Sequence, residues 1–180
     1  MNVVLVGLRA SGKSTVGRLL AEQLSRPFVD TDKLIVDDAG MSVRAIFAAE
    51  GEAGFRRRER EAIRRVAAMS GAIVALGGGA LADAKSRSLL RSTARIVWLR
   101  ATVETLWERM QADSATSEGR PDLTSVGGIE EIRRLAQARN PQFREAAELV
   151  VDTDEREAAE VVAALREWLM RAEAAAGGGS

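Results

Sequence analysis

The sequence predicts an α/β fold, a three-layer sandwich in which helices cover both faces of a five-stranded parallel sheet. Five short apolar runs, each rich in Val, Ile or Leu, alternate with segments of helical periodicity. Such runs are typical of parallel strands buried on both faces, and the alternation of strand and helix favours a parallel sheet. The length of 180 residues suits one domain with a substantial core.

The five predicted strands are residues 3–6, 27–29, 72–76, 96–99 and 149–151. Apolar residues at helical spacing predict helices between and after these strands. Three of the helices are defined by these residues on one face: Val16, Leu19, Leu20 and Leu24; Phe55, Ile63 and Val66; and Val161, Val162, Leu165 and Leu169. Together the strands and helices predict a single domain over residues 1–173.

Two segments do not fit this alternation. Residues 111–128 are polar and rich in Gly and Ser, and a long segment of this kind in a compact domain is typical of a functional lid or of a disordered insert. Residues 174–180 (AAAGGGS) have low complexity and are expected to form a flexible tail.

The composition narrows the chemistry and the partners. Lys and Arg together number 26, as do Asp and Glu, so there is no basic excess that would indicate nucleic-acid binding. Cys and His are both absent, which excludes disulfides, zinc sites built from these residues and histidine as a general base. Proton transfer is left to Asp, Glu, Lys or water, and a metal would be a hard ion such as Mg²⁺. With no membrane-spanning apolar stretch and no signal-peptide pattern, we expect a cytoplasmic protein.

The strongest motif is Gly7-Leu8-Arg9-Ala10-Ser11-Gly12-Lys13-Ser14, which fits G-x-x-x-x-G-K-[ST] in full. Its glycines let successive backbone N–H groups point at phosphate oxygens, and the following helix adds its positive N-terminal end. Lys13 would neutralise the β- and γ-phosphates of a nucleotide, and the Ser14 hydroxyl would bind Mg²⁺. A plain glycine turn is the alternative, but the predicted strand before the motif and the helix after it favour the phosphate-binding loop. The motif alone does not separate a kinase from an ATPase, while the absence of N-K-x-D argues against a GTPase.

Asp30-Thr31-Asp32 follows the second predicted strand. Ligands of parallel sheets bind at the carboxyl ends of strands, so these two carboxylates could serve a magnesium ion and an acceptor hydroxyl. The alternative is a structural role, in which Thr31 or Asp32 caps a helix that starts at Lys33. The residues themselves leave both interpretations open.

Two further segments are weak indicators when taken singly. The first reads Gly51-Glu52-Ala53-Gly54-Phe55-Arg56-Arg57-Arg58-Glu59, and we expect Arg57 and Arg58 in it to lie on a solvated helix face. The second, Gly77-Gly78-Gly79, follows a predicted strand, where three glycines allow either a close approach of the backbone to a ligand or a sharp turn.

In this order and spacing, the segments resemble the shikimate kinase family. The similarity runs through GLRASGKST, FVDTD, a Gly-Met-Ser segment, IFAAEGEAGFRRRE, ALGGGA, Arg120-Pro121, Arg139-Asn140-Pro141-Gln142-Phe143 and a closing VVDTD, which covers nearly the whole chain apart from the tail. It implies a P-loop fold like that of nucleoside monophosphate kinases. It also implies transfer of the γ-phosphoryl group of ATP to the 3-hydroxyl of shikimate, giving shikimate 3-phosphate and ADP, in chorismate and aromatic amino-acid biosynthesis. The resemblance further implies Mg²⁺ as cofactor, ATP and shikimate as small-molecule partners, no nucleic acid or membrane, and a monomer.

The resemblance implies roles for residues at matching positions. Those implied for ATP are Gly7, Ala10, Ser11, Gly12, Lys13, Ser14, Thr15, Arg109 against adenine, and the lid residue Arg120 over the phosphates. Those implied for shikimate are Asp32, Phe47, Phe55, Arg56, Gly77, Gly78, Gly79 and Arg139, and those implied for the metal are Ser14 and Asp30. Lys13, Asp32 and Arg120 are the implied catalytic residues. Asp32 would bind the shikimate hydroxyls as the base, and the paired guanidinium groups of Arg56 and Arg139 would hold its carboxylate.

The chain departs from the family pattern at two places, and other functions remain open. The lid reads Arg120-Pro121-Asp122-Leu123-Thr124 where many members have R-P-L-L. The second place is the usually aromatic position before the Glu-Ala segment, where Phe143 is a mild change. By spacing alone, Arg109 could equally be a solvated helix residue. The alternatives to a shikimate kinase are another small-molecule kinase such as a gluconate-type enzyme, a nucleoside monophosphate kinase, and a nucleotide-binding protein without activity. The intact Lys13 and Asp32 argue against the last.

Overall fold

The computed structural model describes residues 1–112 and 128–177, which form a parallel sheet covered by helices on both faces. The strands are β1 (Asn2–Val6), β2 (Phe28–Asp30), β3 (Ile73–Ala75), β4 (Ala94–Arg100) and β5 (Leu149–Asp152). The helices are α1 (Lys13–Gln23), α2 (Thr31–Ala39), α3 (Val43–Ala67), α4 (Ala84–Thr93), α5 (Val103–Ala112), α6 (Gly128–Ala146) and α7 (Ala158–Gly177), with a 3₁₀ turn at Ala80–Ala82. All five predicted strands are therefore confirmed.

The strands lie in the order β2-β3-β1-β4-β5, and every neighbouring pair is parallel. The connection from β1 leads towards one edge of the sheet and the connection from β4 towards the other. The strand order therefore reverses direction between β1 and β4. Ligands of open α/β sheets bind at such a point, beyond the carboxyl ends of the strands. The loop that follows β1 opens at this point.

The sheet separates two apolar cores, and alternate side chains of β1 contribute to each of them. Val4 and Val6 pack with residues of α3, α4 and α6 on one face, whereas Val3 and Leu5 pack with α1 and α7 on the other. All five residues of β1 are buried, and from Val3 to Val6 the strand is a continuous apolar run, as burial on both faces predicts.

A third, smaller core lies between α2 and α3. It consists of Ile35, Ile46, Phe55 and Ala62, with partly buried neighbours that include Phe47. α3 is not straight, because Gly51 has φ 66° and ψ −174° inside it. The kink places Phe47 before the bend and Phe55 after it.

The first turn of α2 corrects one prediction. α2 begins at Thr31, and its N-cap is Asp30, whose Oδ1 accepts hydrogen bonds from the N–H groups of Asp32 (3.1 Å) and Lys33 (3.3 Å). The prediction that Thr31 or Asp32 caps this helix is wrong. Asp30 caps it because its backbone is extended, with φ −104° and ψ 118°, while the next residues are already helical.

The structure also shows where the helices that flank residues 111–128 and 174–180 begin and end. α5 continues to Ala112 and α6 starts at Gly128, so most of the predicted lid, including Arg120, lies outside the described residues. α7 extends to Gly177, and residues 174–177, which the sequence assigns to a flexible tail, are helical. Among the described helices none has the length and apolar character needed to cross a bilayer.

Candidate active site

The loop between β1 and α1 adopts the compact curl that phosphate binding requires. Gly7 has φ 149°, and a Cβ atom there would lie 2.5 Å from the Leu99 carbonyl oxygen, so only glycine fits. Gly12 has φ 90°, and α1 starts directly after it with a hydrogen bond from Val16 N–H to the Gly12 carbonyl (2.8 Å). Ala10 also has a positive φ of 62°. The N-terminus of α1 therefore faces the space that the loop encloses.

Lys13 lies over this loop. Its ammonium group donates hydrogen bonds to the carbonyl oxygens of Gly7 (3.0 Å) and Leu8 (2.7 Å). The positive charge is thus held at the mouth of the loop, where a phosphate chain bound to the backbone N–H groups would meet it.

Ser14 and Asp30 meet beside the loop. The Ser14 hydroxyl donates to Asp30 Oδ2 at 2.7 Å, while Oδ1 of the same carboxylate caps α2. The two side chains offer hard oxygen atoms next to the phosphate-binding backbone, which is the donor chemistry that Mg²⁺ prefers. Within residues 1–112 and 128–177, no group of three or more acidic side chains is arranged so that it could hold a metal ion, and a metal bound by Ser14 and Asp30 would take further oxygen ligands from phosphate or water.

Asp32 lies against the glycine run that follows β3. A Cβ atom on Gly77 would be 2.6 Å from Asp32 Oδ1, and the Gly77 N–H donates to the Thr31 hydroxyl at 2.9 Å. Thr31 is buried, so this bond fixes the start of α2 to the end of β3. The close approach of Asp32 is possible because position 77 has no side chain.

The other two glycines of the run adjoin two arginines. A Cβ atom on Gly79 would lie 2.7 Å from Arg56, and one on Gly78 would lie 3.3 Å from Arg139 and 3.5 Å from the Gly7 carbonyl oxygen. Gly78 therefore stands between the phosphate-binding loop and the Arg139 guanidinium.

Glu59 joins these groups into one charged cluster. It is only 5% exposed, and its carboxylate accepts a hydrogen bond from Arg56 at 2.8 Å. Arg56 also pairs with the exposed Glu52 at 3.4 Å, whereas Arg139 donates no hydrogen bond to any of the described residues. The cluster thus contains one guanidinium that is hydrogen-bonded to a buried carboxylate and one, Arg139, that interacts with Glu59 and Glu131 through charge alone.

The pKa values reflect this arrangement. Burial raises the pKa of Glu59, and the nearby Asp32 adds to the rise, although the bond from Arg56 opposes it. Burial lowers the pKa of Arg139, and repulsion from Arg56 lowers it further. For Arg56, burial acts to lower the pKa, but Glu59 and Glu52 outweigh it and the pKa is raised. An anion placed between the two guanidinium groups would relieve the repulsion between them.

An aromatic pair lies beside this cluster. Phe47 and Phe55 stack with ring centroids 4.8 Å apart, and the Arg56 guanidinium lies 5.8 Å from the Phe55 ring centroid. This pair supplies an apolar surface next to the charged groups, as a pocket for a small organic acid requires.

A second pocket, of about 290 Å³, opens on the other side of the phosphate-binding loop. Its lining residues are Ala10, Ser11, Gly12, Thr15, Val16, Arg109, Thr153, Arg156, Ala158 and Val161. Arg109 reaches into it from α5, and its guanidinium donates to the Thr153 hydroxyl at 3.0 Å and to the Ala10 carbonyl at 3.5 Å. Arg109 therefore contacts the loop and is not a solvated helix arginine.

The structure brings together all the predicted site residues except Arg120, which is not described. Arg57 is 70% exposed, as expected, and Arg58 is 29% exposed and pairs with Glu50 at 2.6 Å. Both arginines bind the same Glu50 carboxylate, which lies directly before the kink at Gly51.

Sequence reasoning missed three residues of the site: Glu59, Thr153 and Arg156. Glu59 stands three residues after Arg56, a spacing that puts both on one helix face and could have pointed to the pair. Thr153 belongs to the closing VVDTD segment, but no pattern in that segment shows that its hydroxyl faces an arginine.

The fold and the phosphate-binding loop are those of an ATP-dependent P-loop kinase. A family model described as shikimate kinase matches residues 9–170. The chain belongs to the shikimate kinase family.

Curated relatives and solved structures agree with this family. The shikimate kinase of Symbiobacterium thermophilum is 48% identical over 94% of this chain and 96% of its own, and that of Pseudomonas entomophila is 42% identical over the same shares. The structure is similar to that of shikimate kinase from Acinetobacter baumannii in complex with shikimate, with a TM-score of 0.87, 33% identity, and coverage of 94% of this chain and 93% of that one. A gluconokinase from Sinorhizobium meliloti, at 19% identity and a TM-score of 0.65 over 99% of this chain and 97% of its own, shares the fold.

Proposed function

We propose that this kinase phosphorylates shikimate at the junction between the β1–α1 loop and the glycine run after β3. The position of Gly78 supports this proposal most directly, since it adjoins Gly7 of the phosphate-binding loop on one side and Arg139 of the acceptor cluster on the other. A phosphate held by the loop and an acid held by the arginines would therefore be neighbours.

The β1–α1 loop would hold the triphosphate of ATP. Its backbone N–H groups and the N-terminus of α1 would bind the β-phosphate, and Lys13 would exchange its carbonyl partners for phosphate oxygens. Arg109 would lie along the adenine in the second pocket. Arg120 would add charge over the γ-phosphate, and lid closure would exclude water from the reaction.

Ser14 and Asp30 would hold Mg²⁺, Ser14 directly and Asp30 through water. Their adjoining oxygen atoms fit a hard ion that takes its remaining ligands from phosphate and water. When bound, the ion would neutralise charge that develops on the transferred group.

Arg56 and Arg139 would bind the carboxylate of shikimate, while Phe47 and Phe55 would pack against its ring. Arg139 and Arg56 present two guanidinium forks, which suit a planar carboxylate. This clamp would convert a two-body encounter into a positioned reaction. The Asp32 carboxylate would then face the hydroxyl groups of the same ring.

In the reaction, the 3-hydroxyl oxygen of shikimate forms a bond to the γ-phosphorus while the bond from that phosphorus to the bridging oxygen of ADP breaks. Asp32 would orient the hydroxyl and accept its proton late in the transfer. The products are shikimate 3-phosphate and ADP.

The first prediction tests Asp32. In an ADP-release assay with shikimate, D32N should lower kcat by about 10²–10⁴-fold, because general-base catalysis is typically worth this much. The KM for ATP should stay close to that of the wild type. D37N is a matched control, since Asp37 is an exposed carboxylate on the same helix that pairs with Lys33. Near-normal turnover of D32N would remove Asp32 as the base.

A further inference from the structure

Arg109 is held by two chain segments that are distant in sequence. The guanidinium donates to the Ala10 carbonyl of the phosphate-binding loop at 3.5 Å. It also donates twice to Thr153, which directly follows β5: to the hydroxyl at 3.0 Å and to the carbonyl at 2.5 Å. Thr153 thus supplies two of the three acceptors and the shorter bonds.

Thr153 is itself fixed. It is 3% exposed, and both its N–H (2.8 Å) and its hydroxyl (3.2 Å) donate to the Arg100 carbonyl at the end of β4. Because the hydroxyl proton is directed at Arg100, its lone pairs are left to accept from Arg109. The result is a continuous chain of hydrogen bonds from the Arg109 guanidinium through the Thr153 hydroxyl to the Arg100 carbonyl at the end of β4.

The adjacent Asp154 ties the same loop to the start of α5. Its carboxylate accepts from the Thr102 N–H at 3.0 Å and from the Thr102 hydroxyl at 3.1 Å. Arg109 stands seven residues further along, about two helical turns. The loop after β5 is therefore hydrogen-bonded to α5 at two points, one at the N-terminus of the helix through Thr102 and one through Arg109.

We propose that Thr153 is a positioning residue for ATP, whose hydroxyl holds the Arg109 guanidinium in the orientation in which it lies along the base. The inference rests on the proposed contact of Arg109 with adenine. An arginine without this support must lose side-chain freedom when the nucleotide binds, which typically weakens binding by about 2- to 10-fold.

The test compares T153V with T153S. Valine has the shape of threonine but neither accepts from Arg109 nor donates to Arg100, whereas serine keeps the hydroxyl. T153V should raise the KM for ATP, and the Kd for ADP measured by calorimetry, by about 2- to 10-fold. The KM for shikimate should change by less than about 2-fold, and T153S should bind ATP as the wild type does.

T93V is the matched control. Thr93 donates its hydroxyl to the Leu89 carbonyl at 2.8 Å in the last turn of α4, so T93V removes a comparable hydrogen bond elsewhere in the chain. It should leave both KM values unchanged. If T153V does not fold, T153A removes the same hydroxyl and takes its place.

A double-mutant cycle with R109A separates the inference from the proposed function. If R109A leaves the KM for ATP unchanged, the role of Arg109 fails and the inference fails with it. If R109A raises this KM and T153V does not, only the inference is overturned. The expected result is that both single variants raise it and that T153V adds nothing in the R109A background. Two results would show that Thr153 has only a structural role. One is an equal effect of T153V on the KM for ATP in the wild type and in R109A, and the other is an equal rise in the KM values for ATP and shikimate.

Discussion

The acceptor pocket depends on a balance among four charged side chains. Arg56 and Arg139 bring two positive charges to the glycine run, and Glu59 and Asp32 bring two carboxylates. One ion pair of this group, between Arg56 and the buried Glu59, has a direct hydrogen bond. Since a buried charge without a partner is costly, the Glu59 carboxylate makes it possible to keep two guanidinium groups in the same pocket.

The second prediction concerns Glu59 and pH. Because burial raises its pKa above the ordinary value of 4.5, the folded protein keeps this proton at pH values where the unfolded chain has lost it. The contribution of Glu59 to stability is therefore fully present below pH 4.5 and is lost as the pH rises through the folded-state pKa. Each unit of increase in the pKa is worth about 1.4 kcal/mol.

The measurement is the free energy of unfolding in urea, at a series of pH values from 4 to 8, for the wild type and for E59Q. The wild type should lose stability relative to E59Q as the pH rises through this window. E61Q is the control on the same helix, since Glu61 is exposed and pairs only with Arg64 among the described residues. Parallel curves for the wild type and E59Q would contradict the effect of burial on this carboxyl.

At the level of single residues, the sequence predicts the parts of the site that are contiguous or that the resemblance matches. Lys13 and Ser14 belong to one motif, and that motif alone predicts that both side chains lie beside the phosphate-binding loop. The burial of Glu59 does not follow from one motif, because it depends on Arg139 from α6 and on the turn after β3. Thr153 was missed for the same reason: its partners, Arg100 and Arg109, come from two other elements.

Among the elements, the strands could be predicted closely and the shape of α3 could not. β1 is buried on both faces, so its apolar run alone identifies it. The kink at Gly51 interrupts a segment whose apolar spacing is helical on either side. A glycine in such a pattern indicates only a weaker helix, and the backbone angles that bend the chain are not encoded in the spacing.

The third prediction tests this kink with G51A. At φ 66° and ψ −174°, Gly51 occupies a backbone region that is essentially restricted to glycine, so alanine should cost about 1–3 kcal/mol of stability or straighten α3. Straightening would move Phe47 away from Phe55 and raise the KM for shikimate. Urea unfolding and steady-state kinetics measure the two effects.

G40A is the matched control for this variant. Gly40 also has a positive φ of 64°, and at both glycines a Cβ atom would meet no other atom within 4 Å. Gly40 lies in the left-handed helical region after α2, where alanine costs about 1–2 kcal/mol. A loss in G51A no larger than that in G40A, with an unchanged KM for shikimate, would contradict the role of the kink.

At the scale of the whole molecule, the phosphate-binding loop, the proposed nucleotide pocket and the proposed acceptor site are formed by different sets of helices and strands. The phosphate-binding loop extends from the central strand, and the nucleotide pocket lies between this loop, α5 and the segment after β5. The proposed acceptor site uses α2 and α3, which carry their own small apolar core, together with Arg139 of α6. Because the two proposed sites share few residues, we expect the two substrates to stabilise the protein independently.

The fourth prediction, of thermal stabilisation, follows from this separation. At about 100 times its Kd, each substrate should add about 2.7 kcal/mol to the free energy of unfolding. For a domain of this size that raises the Tm by about 5–10 °C. K13A should lose the shift caused by an ATP analogue and keep the shift caused by shikimate. Loss of both shifts would indicate that Lys13 holds the fold and not the phosphates.

Asp30 divides its two oxygens between separate tasks. Oδ1 caps the N-terminus of α2, the helix that contains Asp32, and Oδ2 accepts the hydrogen bond from the Ser14 hydroxyl at the proposed metal site. A substitution of Asp30 would therefore alter two things at once: the proposed metal site, and the N-cap of the helix that carries Asp32, the proposed base.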